Sequence, residues 1–175
     1  EPALALARAI APHRALRLAG IHAYHGGAQH QRDATTRQAT HARSAQMVRD
    51  TRDLLIRHGF GPLLVTGAGT GTYPLETASG LWGELQTGSY LFMDADYASN
   101  QHTADAPAFE HALFVKAQVV SRQSERAVCD AGHKSHAIDS GLPTVFAPAG
   151  LAFANGGDEH GVLRAATAEA TLPAI

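Results

Sequence analysis

The sequence predicts an α/β chain: short parallel strands alternating with helices, followed by a small antiparallel β domain. Three observations predict it. Two short apolar runs, Leu16–Tyr24 and Pro62–Thr66, each lead into a glycine-containing loop. Between them the stretch Gln29 to His58 holds neither glycine nor proline and reads as one long helix. Beyond residue 108 the helical period gives way to alternating and β-branched runs divided by Gly, Asp and Asn turns. With 175 residues, 45% hydrophobic and 17% charged, the chain is long enough for one ordinary domain or two small ones. Its composition excludes a disordered or collagen-like chain.

In chain order, residues 3–11 read as a helix closed by Pro12. Glu1 enters that helix as if it were already under way, so the sequence is expected to be a piece of a longer chain. Leu16–Tyr24 reads as a buried strand, with His25-Gly26-Gly27 as the loop at its C-terminal end. The helix of residues 29–58 places Ala45, Val48 and Leu55 near one face and stops at Gly59. Pro62–Thr66 is a second strand, followed by the loop Gly67–Tyr73, a brief helix at Leu75–Ser79 and a third strand at about Glu84–Met93. Order and loop chemistry together fit a parallel sheet or barrel. Residues 98–108, polar and proline-containing, read as a linker, which divides the chain into domains 1–97 and 98–175. In the second domain strands are expected at Leu113–Val120, Arg126–Cys129, Thr144–Ala147 and Gly161–Ala165.

Charge and composition narrow the function. Net charge is −2, but residues 1–60 hold nine Arg against four acids and residues 61–175 hold five basic against twelve acidic residues. The arginines lie along one helix among Asp33, Asp50 and Asp53, which fits a solvated helix face better than a nucleic-acid surface. No apolar run is long enough to span a bilayer. Neither nucleic acid nor membrane is expected as a partner. The single cysteine, Cys129, excludes an internal disulfide and fits a reducing, cytoplasmic location. Twelve of the fourteen basic residues are Arg, and alanine is abundant, as in proteins of GC-rich bacterial genomes. The eleven histidines show no metal-ligand spacing: there is no H-E-x-x-H, no H-x-H and no cysteine close by.

Two loops carry candidate chemistry. In Gly67-Ala68-Gly69-Thr70-Gly71-Thr72, glycines free backbone N–H groups to face an anion and threonine hydroxyls add donors. It is neither a dinucleotide fingerprint, whose third glycine would fall on Thr72, nor a P-loop, since no G-K-[ST] follows. Alone it is as well explained by a tight turn. The second loop, Thr87-Gly88-Ser89-Tyr90, offers the same groups at the next strand end, and the pair could clasp one phosphate. His30 follows the strand-end loop at the start of the next helix. A neutral imidazole there suits proton transfer near neutral pH. Asp158–Gly161 reads as a surface turn.

Specific runs of residues resemble a known family. Ala23-Tyr24 with Gly26 and Gln29-His30, then Val65–Tyr73 (VTGAGTGTY), then Glu84–Tyr97 (ELQTGSYLFMDADY) are similar to the D-threonine aldolases. More broadly, they are similar to the D-serine dehydratase-like enzymes of fold type III that use pyridoxal 5'-phosphate. Asp130-Ala131-Gly132 with Lys134, and Asp158–Gly161, extend the resemblance over nearly the whole chain. It implies the second half of a TIM-like, alanine-racemase-type barrel followed by a C-terminal antiparallel β domain. It implies that Thr66, Gly69, Thr70, Gly88, Ser89 and Tyr90 surround the cofactor phosphate. Tyr24 would lie beside the cofactor as a binding and catalytic residue, and His30 would be the catalytic base. The implied reaction is retro-aldol cleavage of D-threonine or another D-3-hydroxy amino acid to glycine and an aldehyde. Dehydration of D-serine or D-3-hydroxyaspartate on the same scaffold is the alternative.

The resemblance also marks what this chain lacks. The family's Schiff-base lysine lies in a segment resembling R-P-H-x-K-T-H, and neither Lys116 nor Lys134 matches it. Its divalent metal, of Mn or Zn type, is held by a late H-x-D or H-x-C motif that the chain does not contain, so no metal ligand is assigned here. The chain is therefore expected to be the C-terminal half of an enzyme. Its partners would be its missing N-terminal half and, when complete, a second copy in a homodimer. The 175 residues alone would be inactive, and a non-catalytic remnant is the reading from another class. Ala68 stands where many relatives have glycine; its methyl group is expected to be tolerated at a negative φ.

Overall fold

The computed structural model describes residues 2–102 and 106–175. Glu1 and residues 103–105 of the expected linker lie outside the described residues. The chain forms two compact units, residues 1–110 and 111–175.

In the first unit, α1 (Pro2–Ile10) packs Leu4 and Ala7 against Leu55 of α2 (Ala34–Arg57), with Leu18, Ile21, Phe60 and Leu63 around them. The long helix is fixed at both ends by local chemistry. Asp33 caps it, its side chain accepting from Thr36 N at 2.7 Å. Gly59, at φ 84°, turns the chain out after His58. The strands β1 (Gly20–Ala23), β2 (Leu64–Gly67) and β3 (Glu84–Leu85) form a parallel sheet in that order. Their C-terminal ends therefore lie at one end of the sheet, which brings the loops after Ala23, Gly67 and Leu85 together. The first helix thus ends one residue short of the expected 3–11. Glycine at 20 is required by packing, since a Cβ there would sit 2.0 Å from the Leu64 carbonyl oxygen. Helix α3 (Tyr73–Ser79) and the short α4 (Ala95–Ala98) follow the second and third strands.

The third strand is much shorter than the expected Glu84–Met93. Gln86 N donates to Gly67 O at 2.7 Å as the last ladder bond, and Tyr90 N then turns to the Thr70 hydroxyl at 3.1 Å. Residues 89–91 wind into a 3-10 turn. A side-chain acceptor has outcompeted the ladder. The expected boundary at residue 97 also shifts, to residue 110, because the polar segment after it is bonded back into the first unit. Asn100 Nδ2 donates to Gln29 O at 2.8 Å and Gln101 N to Arg32 O at 3.0 Å, while Phe109 packs on Tyr73 and Tyr90.

The second unit is an antiparallel sheet of β4 (Val119–Arg122), β5 (Ala127–Cys129), β7 (Gly161–Ala165) and β6 (Leu151–Asn155), in that spatial order. Val119, Ala127, Cys129, Leu151, Leu163 and Leu172 form its core. The first of these strands covers only the end of the expected Leu113–Val120. Thr144–Ala147 is not a strand; it lies between Pro143 and Pro148, which cannot donate to a ladder, and the pairing falls instead to Leu151–Asn155.

Ala68 is almost fully buried and sits at φ 66°, not at the negative φ expected. Relief of left-handed strain by glycine, about 1–2 kcal/mol, is nearly offset by the lost methyl burial and by glycine's greater unfolded-state freedom. Ala68→Gly should therefore shift unfolding stability by less than about 0.5 kcal/mol. Ala68→Val should cost more than about 2 kcal/mol, because a branched side chain is both strained and overpacked there. Urea unfolding of the two variants checks this, and equal midpoints would show that the backbone relaxes out of the left-handed region.

Candidate active site at the strand ends

The site is built by three segments at the C-terminal end of the parallel sheet: residues 24–33, 67–72 and 86–101. Gln29 is fully buried between them. Its Nε2 donates to Thr72 Oγ1 at 2.8 Å and to His25 O at 3.3 Å, and its Oε1 accepts from Gly71 N at 3.0 Å. A Cβ at Gly69 would lie 2.5 Å from Gln29 Oε1, and one at Gly71 would lie 2.3 Å from Gln29 O. These two glycines are therefore demanded by the glutamine packed beneath them.

Thr72 passes the chain of hydrogen bonds on, donating to Glu76 Oε1 at 2.9 Å. Burial pushes the Glu76 carboxyl above its ordinary value, with the Thr72 hydrogen bond opposing it. Among the described residues its Oε2 has no protein partner, and neither does the buried Nε2 of His41. Burial, and Arg49 secondarily, hold the His41 ring below the usual histidine range. Both residues border a cavity of about 260 Å³, also lined by His22, Tyr24 and Trp82, with room for water to serve the two atoms.

The residues expected at the cofactor phosphate fall into two groups. Gly69, Thr70, Gly88, Ser89 and Tyr90 are brought together, joined by the bond from Tyr90 N to Thr70 Oγ1. Because Thr70 accepts there, its own hydroxyl proton is free to donate elsewhere. Among the described residues the N–H groups of Gly69, Thr70, Gly88 and Ser89 have no protein acceptor. A Cβ at Gly88 would meet nothing within 4 Å. Thr66 stands apart, its hydroxyl bonded to Glu84 Oε1 at 3.0 Å. Tyr24 reaches the Gly69 backbone, since a Cβ there would lie 3.0 Å from its hydroxyl oxygen.

His30 does not start the helix as expected. It lies in the turn before Asp33, which takes the cap position because its shorter side chain can reach the Thr36 N–H. Instead His30 Nδ1 meets Asp96 Oδ2 at 2.6 Å. Arg32 pairs with the other Asp96 oxygen and also donates to Asp96 O at 2.6 Å and to Asn100 Oδ1 at 2.8 Å. The Arg32 hydrogen bond, reinforced by His30, holds the Asp96 carboxyl below the usual carboxylate range against a modest cost of burial. The His30 ring also packs against Tyr97, centroids 5.3 Å apart. Burial, with Tyr24 secondarily, pushes the Tyr97 phenol above its ordinary value, and Ser89 opposes it. Tyr97 thus lies against His30 and within the electrostatic reach of Tyr24 and Ser89.

Gln29, Arg32, Asp96 and Tyr97 are the residues that sequence reasoning missed. One signal was available for Asp96. In Asp94-Ala95-Asp96 only one acid can cap the helix, and Asp94 does so through Tyr97 N at 2.8 Å, which frees the second. Lys134 is paired with Glu159 and Asp158 on the surface of the second unit. Among the described residues no group of three or more His, Cys, Asp or Glu is placed to hold a metal ion, and no helix is long and apolar enough to cross a membrane.

Parallel strands carry paired Gly/Thr and Gly/Ser loops at their C-terminal ends, and comparison with known proteins shows which proteins this arrangement resembles. Residues 112–175 match the family described as a putative serine dehydratase domain. The D-threonine aldolase of an Arthrobacter species is 40% identical over 163 residues, 92% of this chain and 42% of that protein. The 3-hydroxy-D-aspartate aldolase of Paracoccus denitrificans strain Pd 1222 is 38% identical over 168 residues, 93% of this chain and 43% of that protein. The crystal structure of D-threonine aldolase from Filomicrobium marinum superposes with a TM-score of 0.88 at 46% identity, over 94% of this chain and 44% of that one. Over nearly all its length the chain is homologous to these aldolases, and over residues 112–175 to the serine dehydratase domain; it spans less than half the length of these relatives.

Removing the buried glutamine should be costly. Gln29→Ala strands the Gly71 N–H and the Thr72 hydroxyl beside an empty volume, and should lower unfolding stability by at least about 2 kcal/mol in urea. Glu76 gives a pH signature. Because its folded-state pKa is raised, its contribution is full below the ordinary carboxyl range, about pH 4, and is lost as pH rises through the raised value. Glu76→Gln should therefore remove a decline in Tm on the alkaline side of that range, and parallel Tm–pH curves for variant and parent would contradict the assignment.

Proposed function

We propose that this chain is the cofactor-phosphate and proton-transfer segment of a pyridoxal-phosphate-dependent lyase that cleaves D-3-hydroxy amino acids such as D-threonine to glycine and an aldehyde. The observation that carries the reading is the junction of the two loops through Thr70 and Tyr90, beside the His30–Asp96 pair. The names of the relatives, aldolases of D-threonine and of 3-hydroxy-D-aspartate, favour aldol cleavage over dehydration. In this reading the three parallel strands belong to a barrel of alanine-racemase type, residues 111–175 to its C-terminal β domain, and the protein is cytoplasmic and homodimeric.

The local chemistry fits a phosphate. The N–H groups of Gly69, Thr70, Gly88 and Ser89 and the Thr70 hydroxyl would hold it. Gly88 needs no glycine for its protein neighbours, as expected where a ligand makes the close approach. Thr66 is left out of that ligand set, because its hydroxyl already donates to a carboxylate. Pyridoxal phosphate held there would supply an electron sink for the pair released as the Cα–Cβ bond breaks. His30 accepts the proton of the substrate hydroxyl, and Tyr24 and Tyr97 would flank the bound cofactor. A divalent cation belongs to this reading, and none of the described residues is assigned to it.

The test uses the longest natural form of the protein, loaded with pyridoxal phosphate and Mn²⁺. Glycine and acetaldehyde should appear in equal amounts from D-threonine. His30→Ala should lower kcat by about 10²–10⁴, the usual worth of a general base, while cofactor binding, followed by its absorbance, is unchanged. Release of pyruvate from D-serine without cleavage of D-threonine would favour the dehydratase reading instead.

A further inference from the structure

The His30–Asp96–Arg32 cluster has a definite electrostatic logic. Asp96 carries both its partners on one carboxylate: His30 Nδ1 on Oδ2 at 2.6 Å and the Arg32 guanidinium on Oδ1. Its side chain is only 11% exposed, whereas those of His30 and Arg32 are about half exposed. An ionised carboxylate can only accept hydrogen bonds, so the nitrogen facing it must carry the proton. A neutral imidazole has one such nitrogen, and the other keeps the lone pair. Among the described residues the ring also packs against Tyr97, whose phenol is influenced in turn by Tyr24 and Asp94. None of these supplies a competing partner to Nδ1.

Arg32 has a second effect. Its hydrogen bonds to Asp96 O and Asn100 Oδ1 lock it in place on the carboxylate. A fixed positive charge there offsets part of the attraction that the Asp96 anion exerts on an imidazolium.

We propose that Asp96 is a positioning residue: clamped by Arg32, it fixes His30 as the Nδ1–H tautomer and presents Nε2 as the proton acceptor. This rests on the reading of His30 as the base. The experiment has an arm that is independent of turnover. In the full protein labelled with ¹⁵N-histidine, the long-range ¹H–¹⁵N spectrum should show His30 protonated at Nδ1 and bare at Nε2. In Asp96→Asn this preference should be lost, since an amide can donate to Nδ1 as well as accept from it.

The kinetic arm reads the sign of charge. Asp96→Asn should lower kcat by about 10²–10⁴, as when a carboxylate orienting a catalytic histidine is replaced. It should move the acidic limb of the kcat/KM profile to lower pH. Arg32→Gln should leave the tautomer in place and move the same limb to higher pH. A residue that served folding alone would not give opposite displacements. A wild-type spectrum with the proton on Nε2, an unchanged spectrum in Asp96→Asn, or displacements of the same sign would each overturn the proposal. A His30→Ala variant that cleaves D-threonine at the parent rate, with the spectral result intact, would instead overturn the base assignment under Proposed function.

Discussion

The fully buried side-chain amide of Gln29 ties together segments that the sequence keeps far apart. It holds the His25 carbonyl, the Gly71 N–H and the Thr72 hydroxyl, while its own backbone carbonyl receives Asn100 Nδ2. Residues from three strand-end segments thus converge on one residue, two of the segments on its side chain. An amide excluded from water is favourable only when its donors and acceptor are matched, and costs about 1–3 kcal/mol for each group left alone. That asymmetry makes the arrangement all-or-none. Once the glutamine is seated, Gly69 and Gly71 have no room for side chains, and their loop takes one shape.

A second buried polar group extends the same logic to the far side of the site. Arg37 is only 6% exposed, and among the described residues no carboxylate is bonded to it. Its guanidinium donates to the carbonyls of Gln31, Arg32 and Gln101, and burial lowers its pKa, opposed by Asp33. Carbonyls satisfy the charge by hydrogen bonding without neutralising it, so the side chain acts as a staple between the turn before α2 and the segment after α4. That staple keeps Arg32 and Asp96 facing each other. The interior of this unit beneath the loops is therefore largely polar. The face of α2 directed inward presents Arg37, Thr40 and His41 as well as Ala45 and Leu55.

This explains what could be read from the sequence. The alternation of short apolar strands with one uninterrupted helix identified the parallel unit, and Gly59 fixed the helix end within a residue. The two glycine loops and His30 stood out because each has a chemistry visible in a few consecutive letters. Gln29, Asp96 and Tyr97 did not, because their roles come from partners 42 to 71 positions away in the chain. The strand Leu151–Asn155 was missed for a related reason. A short apolar run becomes a strand when a partner ladder is available, and local propensity did not separate it from Thr144–Ala147.

Backbone strain falls beside both candidate phosphate loops. Ala68 opens the first at φ 66°, and Met93 closes the second at φ 50°, and both are almost fully buried. A non-glycine residue in the left-handed region costs about 1–2 kcal/mol and persists where the surroundings over-determine it. Here the surroundings are named. Gly67, packed against the Ala23 carbonyl and Trp82, fixes the residue before Ala68, and Gln29 fixes those after it. On the other side, Met93 N is held by Ser89 O at 2.8 Å, and Asp94 immediately begins α4. The chain therefore cannot relax at either point without releasing the amide network or the helix that carries Asp96. The same contacts that hold the strain also hold the anion-facing loops and the histidine pair in register with one another.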